Sequence, residues 1–513
     1  MTTSPYPRST RWLITAPALY LLLFLAIPTV VVASNGVHFQ SLLRLFHNST
    51  FQQIAWFTVI QTTLSTVLTV ICALPVTFVL SRFSFTGSKF LLALVTTPFL
   101  LPTVVVGTSL FALLPASLHY TAAAIIVAHV FFNMAVIVRL VMPRWSQIDP
   151  ELIHAAHTLG ASSLRTFRTI TLPLIRPALG YASTAVALFC FTSFGAVRIL
   201  GGPGYSTLET EIYVRAVLLG DLPNAVALSI VQAVVLISAL YIFSRLSRKQ
   251  SSALTINISA PAPSGLRQQS LVGIIAIGTA LTVISPFIAL AWKSTSGWSA
   301  VISAETARSL YVSASYAVVA ALLATTLGTL LALAATYAQQ SSRVIELMAS
   351  LPLMISAVTV GLGILITFDH SPIEFRSSWW ITPVAHSLIA IPLVVRIVQP
   401  VTQAIPQDLR NAAATLGATP NSQWLTIDLP LIKRAVGTAF AFSAAVSLGE
   451  FGATSFLTRR TSETLPVTIA RLLSRPGDTQ RAEAFALSTL FFIFSISAVY
   501  LSEIFRSHRK IHR

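Results

Sequence analysis

Charge is what this sequence has least of. Of its 513 residues only 10% are Asp, Glu, Lys or Arg, while 54% are hydrophobic and mean hydropathy is +0.77. A soluble domain carries about 25% charged residues, so a large soluble domain is excluded and the chain reads as a polytopic membrane protein. It has just two cysteines, Cys72 and Cys190, with neither disulfide nor metal spacing. Both sit in apolar runs and read as small buried hydrophobes. No stretch has the form G-x4-G-K-[ST]; Gly87-Ser88-Lys89 lacks the upstream glycine and is followed by Phe90. Without that phosphate-cradling loop the chain is excluded as an ATPase. Clustered His, Asp or Glu inside apolar runs are missing too, which argues against a membrane-embedded enzyme. Acids are the scarcest charge, 16 against 33 Lys and Arg, for a net charge of +17. The bases lie in short loops between apolar runs, a pattern of cytoplasmic-side retention rather than nucleic-acid binding.

What the sequence does have is apolar length. About 20 apolar residues cross ~30 Å of hydrocarbon as a helix. Twelve such runs are expected, within 12–33, 55–80, 90–114, 120–141, 178–200, 223–244, 269–292, 309–336, 346–368, 379–399, 435–457 and 484–503. The first, Trp12–Ala33, is too long for a signal-peptide core of ~7–15 residues and reads as a retained helix. The positive-inside rule puts both termini in the cytoplasm, with Arg82, Arg139, Arg165, Arg343, Arg410 and the Arg506–Arg513 tail on that side. Residues 247–268, polar and rich in Ser, Pro and Ala, read as a cytoplasmic linker. They divide the chain into a first half, 1–246, and a second half, 269–513, with six spans each.

The halves repeat. At a fixed offset of 257 residues (Gly160 to Gly417), Val127-Ala128-His129 aligns with Val384-Ala385-His386, and Phe194-Gly195-Ala196 with Phe451-Gly452-Ala453. Equal span numbers give both copies one orientation, so the repeat is parallel about an axis along the membrane normal.

The most telling repeated segment is polar. HAAHTLGASSLRTFRTITLP, His154–Pro173, is matched by NAAATLGATPNSQWLTIDLP, Asn411–Pro430. These lie in expected cytoplasmic loops at about 144–177 and 401–434. Asp149-Pro150-Glu151 opens a helix by capping, by proline at its first position and by an acid at its dipole. Gly160 closes it with positive φ. Pro406, Asp408, Ala412–Ala414 and Gly417 are expected to repeat these roles. Each half thus offers a short helix with a thin alanine face suited to docking.

The pattern Ala-Ala-x3-Gly-x9-Ile-x-Leu-Pro resembles the "EAA" loop of ABC importer permeases. His154 and Asn411 stand where that family usually has Glu. The resemblance implies an all-α, type I importer permease fold of about twelve membrane helices in two parallel six-helix repeats. It implies a non-enzymatic chain with no cofactor of its own, in a bacterial inner membrane. Its partners would be two copies of a cytoplasmic ATPase, which use ATP and Mg, and an extracytoplasmic solute-binding protein. The ATPase-coupling residues it implies are Glu151, His154, Ala155, Ala156, Gly160, Asp408, Asn411, Ala412, Ala413 and Gly417. A single chain holding both halves resembles the fused iron(III)/thiamine group. LFCFTSFGAVRILGGPGYSTLETEIYVRA, Leu188–Ala216, and AHVFFNMAVIVRL, Ala128–Leu140, look closest to thiamine permeases. SLGEFGATSFL, Ser447–Leu457, is shared with iron, sulfate and molybdate permeases. Thiamine is favoured over iron(III), and an ion-coupled secondary transporter is the rival of another class.

Glu450 is the one carboxylate expected inside a span, and an ionisable group there defaults to a functional hypothesis; the alternative is a carboxylate tied to a neighbouring helix N-terminus. The turn Glu450, Phe451, Gly452 is expected to face its counterpart Ser193, Phe194, Gly195 along a substrate pathway. His129 and His386 read as histidines bonded between helices rather than a metal site. Pro98, Pro102 and Pro352 are expected to bend their spans. Glu209 and Glu211 are assigned to the loop after span five, with Glu211 pairing with Arg215 four residues on.

Overall fold

The computed structural model describes residues 11–36, 47–202, 204–248, 261–337, 342–369, 378–460 and 462–507. Among them there are helices and turns but no strand. Hydrocarbon offers a backbone no hydrogen-bond partner, so a spanning segment must satisfy itself. Leaving short turns aside, the first half comprises α1 (Leu13–Ser34), α2 (Ser49–Arg82), α3 (Ser88–Leu100), α4 (Thr103–Leu113), α5 (Ala122–Ser146), α6 (Pro150–Thr158), α7 (Ser163–Phe191), α8 (Gly195–Leu200), α9 (Leu208–Tyr213) and α10 (Leu222–Arg248). The second half repeats them as α11 (Gly265–Lys293), α12 (Ala304–Tyr337), α13 (Ser342–Ser350), α14 (Ala357–Phe368), α15 (Ile381–Gln403), α16 (Gln407–Thr415), α17 (Trp424–Gly449), α18 (Gly452–Leu457), α19 (Leu465–Leu473) and α20 (Asp478–Ser507). The repeat therefore runs far beyond the segments legible as sequence. Most of the linker, residues 249–260, and the tail beyond residue 507 lie outside the described residues.

Nine described helices are long and apolar enough to span a membrane, ten with the bent pair α3–α4. The other two of the twelve expected runs fall on α14, only 12 residues long, and on α20. The run 346–368 is not one span: Pro352 lies in a 3-10 turn, and the Ser356 hydroxyl caps a fresh helix. The run 90–114 breaks more sharply. α3 and α4 meet at 106°, with Leu101 and Pro102 extended between them. Proline lacks the N–H that would continue the ladder.

One helix, α2, is arranged inside out relative to a soluble protein. In α2, Thr58, Gln61, Ser65, Thr69 and Thr77 are buried, whereas Trp56, Val59, Leu64, Val67 and Ile71 are exposed. The buried hydroxyls bond back to their own helix, as Thr58 Oγ1 does to the Ile54 carbonyl at 2.7 Å and Thr69 to Ser65 at 2.6 Å. Such a helix loses little by facing lipid with its apolar side. Cys72 shares this outer surface, so only Cys190 is buried, contrary to the expectation for both.

Within each half α5 and α7, or α15 and α17, pack with α2 or α12. The first helix of each half is exchanged. α1 packs on α12 and α14 of the second half, and α11 on α2, α3 and α4 of the first. Tyr20 bonds Ser387, and a Cβ on Gly363 would lie 3.1 Å from Pro28. Two halves braced in this way bury their seam in the centre of the molecule.

Candidate functional site

The two alanine-rich segments are helices with open faces. In α6 the Asp149 carboxylate accepts from the Glu151 N–H at 2.9 Å, and Gly160 closes the helix at φ 82°. α16 ends likewise at Gly417, φ 83°, but begins differently: Pro406 occupies the capping position without a side-chain bond. Asp408 stands in the first turn, as Glu151 does in α6, so it is a dipole partner and not a cap. His154, Ala155, Asn411 and Ala412 are exposed, while Ala156 and Ala413 are half-buried. Composition alone did not single out the leucines beside them. Leu159 and Leu416, each just before the closing glycine, are 88% exposed, and Leu152 and Leu409 about half exposed. The return path is not a loop, because α7 starts at Ser163. A wide π-turn at Phe167–Thr171, repeated at Trp424–Asp428, precedes each Leu-Pro. It relieves the clash between the proline ring and the preceding turn.

The roots of the two segments differ. Arg410 of α16 reaches Asp428 at 2.8 Å, and Tyr337 donates to the same carboxylate at 3.0 Å. The guanidinium also lies 5.3 Å from the centre of the Tyr337 ring. Ile153 and Thr171 hold the equivalent positions under α6. Asp428 was not foreseen as a buried acid.

At the centre the two predicted turns meet. α7 ends at Phe191 and α17 at Gly449, so Glu450 lies in a break between helices and not within a span. The rings of Phe194 and Phe451 are 5.0 Å apart. Gly195 and Gly449 make this approach possible: a Cβ on Gly195 would collide with Thr103 Oγ1, and one on Gly449 would lie 3.3 Å from Pro102. The α3–α4 bend thus abuts the α17–α18 break. Beside them opens a cavity of about 260 Å³. Its apolar wall includes the rings of Phe99, Phe132, Phe189, Phe194 and Phe451; its polar groups include Ser193, His129, Asn133, Glu209 and Glu450. Among the described residues no Lys or Arg lines it.

Glu450 Oε1 accepts from the Ala453 N–H at 2.9 Å and so caps α18, the role weighed against a pathway role in the sequence; it lines the cavity as well. Glu209 corrects its assignment to a loop. It belongs to α9, is 1% exposed, and is bonded by Gln232. Spacing gave no sign of this, since Glu209 and Glu211 are two residues apart on a six-residue helix. Glu211 does pair with Arg215 at 2.8 Å, and Arg215 continues to Asp221 at 3.1 Å. Partial burial works against the Asp221 carboxylate, but bonds from Asn224 and Arg215 hold it below the usual range.

The paired histidines differ in their partners. His386 is bonded at both nitrogens, Nδ1 to Ser447 and Nε2 to Thr454, each at 2.7 Å. His129 has Ser65 at 3.2 Å from Nδ1, and its buried Nε2 has no protein partner.

The sequence matches the family model described as "Binding-protein-dependent transport system inner membrane component" over residues 65–252 and 324–508. The thiamine transport system permease protein ThiP of Brucella abortus (strain 2308) is 27% identical over 485 residues, spanning 89% of this chain and 88% of that protein. ThiP of Haemophilus influenzae is 25% identical over 446 residues, 82% of this chain and 83% of its own. A solved bacterial ABC transporter involved in import of the acidic polysaccharide alginate aligns with 48% of this chain and 98% of its own, at a TM-score of 0.41 and 18% identity.

Proposed function

Since the chain belongs to the family of binding-protein-dependent transport system inner membrane components, we propose that it is the permease subunit of an ATP-driven thiamine importer. The solute is suggested by relatives named for thiamine transport that match nearly the whole chain. The observation that carries the mechanism is the central cavity, set where two broken helices meet, its wall built mostly by the first half and closed by Ala357 and the Gly449–Gly452 turn of the second. A passage at such a seam opens when the halves rock, with no helix having to unfold.

In this reading α6 and α16 are the contacts for two copies of a cytoplasmic ATPase. Glu151, His154, Ala155, Ala156, Asp408, Asn411, Ala412 and Ala413 supply a thin polar face, and Leu159 and Leu416 supply apolar anchors. The glycines Gly160 and Gly417 set the turn behind each anchor. Both termini and both docking helices face the cytoplasm, and a solute-binding protein delivers thiamine to the opposite side. ATP hydrolysis and its Mg belong to the ATPase; this chain converts closure of the motor into movement of its halves. Ser193, Phe194, Gly195, Glu450, Phe451 and Gly452 line the route.

The test is reconstitution. Proteoliposomes holding this chain with its ATPase, supplied with the binding protein, are expected to accumulate labelled thiamine only when ATP is present on the ATPase side. Accumulation driven by an ion gradient without ATP would refute the reading.

A further inference from the structure

Duplication should have produced two equivalent polar sites about the central axis. Among the described residues the two copies differ: one histidine is filled by neighbouring hydroxyls and the other is left open. In the second half His386 is locked by Ser447 and Thr454. The equivalent first-half positions are Cys190 and Val197, and neither holds the hydroxyl that would cap His129. His129 Nε2 is therefore unpartnered on a residue 2% exposed that lines the cavity.

Asn133 repeats this logic. Its amide N–H groups are committed to the His129 carbonyl at 3.0 Å and to Cys190 Sγ at 3.5 Å. Its Oδ1 is left buried without a partner, on a residue 1% exposed. The second half has Ala390 there. Glu209, too, belongs to the first half only, Pro466 being its equivalent. A buried polar group without a partner costs about 1–3 kcal/mol, and two such groups belong to residues that line this one cavity.

We propose that this one-sided cavity is the transit site of the permease, with His129 Nε2 and Asn133 Oδ1 as its solute-binding atoms. The chemistry selects the ligand class. Asn133 offers only an acceptor, so the ligand presents an N–H or O–H donor to it. Glu209 and Glu450 face the cavity with no Lys or Arg among its lining, and five phenylalanine rings surround them. Carboxylates without a cation partner and aromatic faces both favour positive charge. The ligand is a small organic cation that carries a hydrogen-bond donor. The inference rests on the thiamine-importer reading and deepens it.

The decisive variant restores the second half's solution in the first. Val197→Thr is nearly isosteric and puts a hydroxyl at the position equivalent to Thr454, whose hydroxyl is bonded to His386. In proteoliposomes of the full importer it is expected to raise the KM for labelled thiamine about tenfold or more, with ATP hydrolysis stimulated by the binding protein retained. Asn133→Leu is expected to raise KM similarly. Wild-type KM in both Val197→Thr and Asn133→Leu would overturn the site while leaving the importer reading intact. Failure of the wild-type importer to carry thiamine at all, with uptake of ferric iron instead, would overturn the solute reading and this inference with it.

Discussion

Arg410 and Asp428 form a buried ion pair, 2.8 Å apart, that fastens α16 to the base of α17; under α6 the same two positions are Ile153 and Thr171. The two alanine-rich helices are thus alike in their exposed leucines and unlike at their roots. Removing one partner of a buried pair leaves the other charge uncompensated, at about 3–5 kcal/mol. Arg410→Ala is therefore expected to lower the melting temperature of the detergent-purified chain and to loosen coupling, seen as ATP hydrolysis without matching uptake. Ile153→Ala, which trims a half-buried apolar contact, is expected to do much less. Equal effects from the two variants would contradict a special role for the pair.

Leu159 and Leu416 touch almost nothing within the chain. Surface substitutions of this kind usually change stability by no more than about 0.5 kcal/mol. Leu159→Asp with Leu416→Asp is expected to leave the chain folded while abolishing co-purification of the ATPase. A stable complex with the double variant would place the docking surface elsewhere.

Gly195 and Gly180 make a controlled pair. A side chain at Gly195 collides with Thr103, whereas one at Gly180 meets nothing within 4 Å. Gly195→Val is expected to cost about 1–3 kcal/mol by overpacking and to stop uptake by wedging the α4–α8 contact. Gly180→Ala, inside α7, is expected to be neutral or stabilising by up to about 1 kcal/mol. Thermal melts with uptake assays would separate the two.

The histidines should divide stability from transport. His386→Leu strands the buried Ser447 hydroxyl and removes a second bond at Thr454, whose hydroxyl keeps its own bond to the Glu450 carbonyl, and is expected to destabilise by about 1–3 kcal/mol. His129→Leu strands only Ser65, so its stability loss is expected to be smaller and its uptake loss larger. The reverse ranking would show that His129 is the structural member of the pair.

Much of this protein was legible before any coordinates. Apolar runs in a chain of 10% charge can only be membrane helices, because no other local structure satisfies the backbone in lipid. The offset of Gly160 to Gly417 exposed the duplication, and Asp149-Pro150 and Gly160 fixed α6 through capping, which acts within one or two turns of chain. The helix breaks were legible where prolines stood at Pro98, Pro102 and Pro352, but not the 106° bend, which packing against α11 and α8 decides.

What only the tertiary structure decided are relations between residues far apart in the chain. The exchange of α1 and α11 leaves no periodic trace, since either helix is apolar enough to cover either half. Glu209 looked like a loop acid because its partner Gln232 lies 23 residues away on another helix. The two histidines have the same local sequence, Val-Ala-His, yet one is saturated and the other open. Hydrogen bonding at a buried imidazole depends on which hydroxyls arrive from more than 60 residues away. Local sequence determines the helix that carries such a group; only the packing of other helices against it determines whether its last hydrogen bond is made within the chain or kept for a ligand.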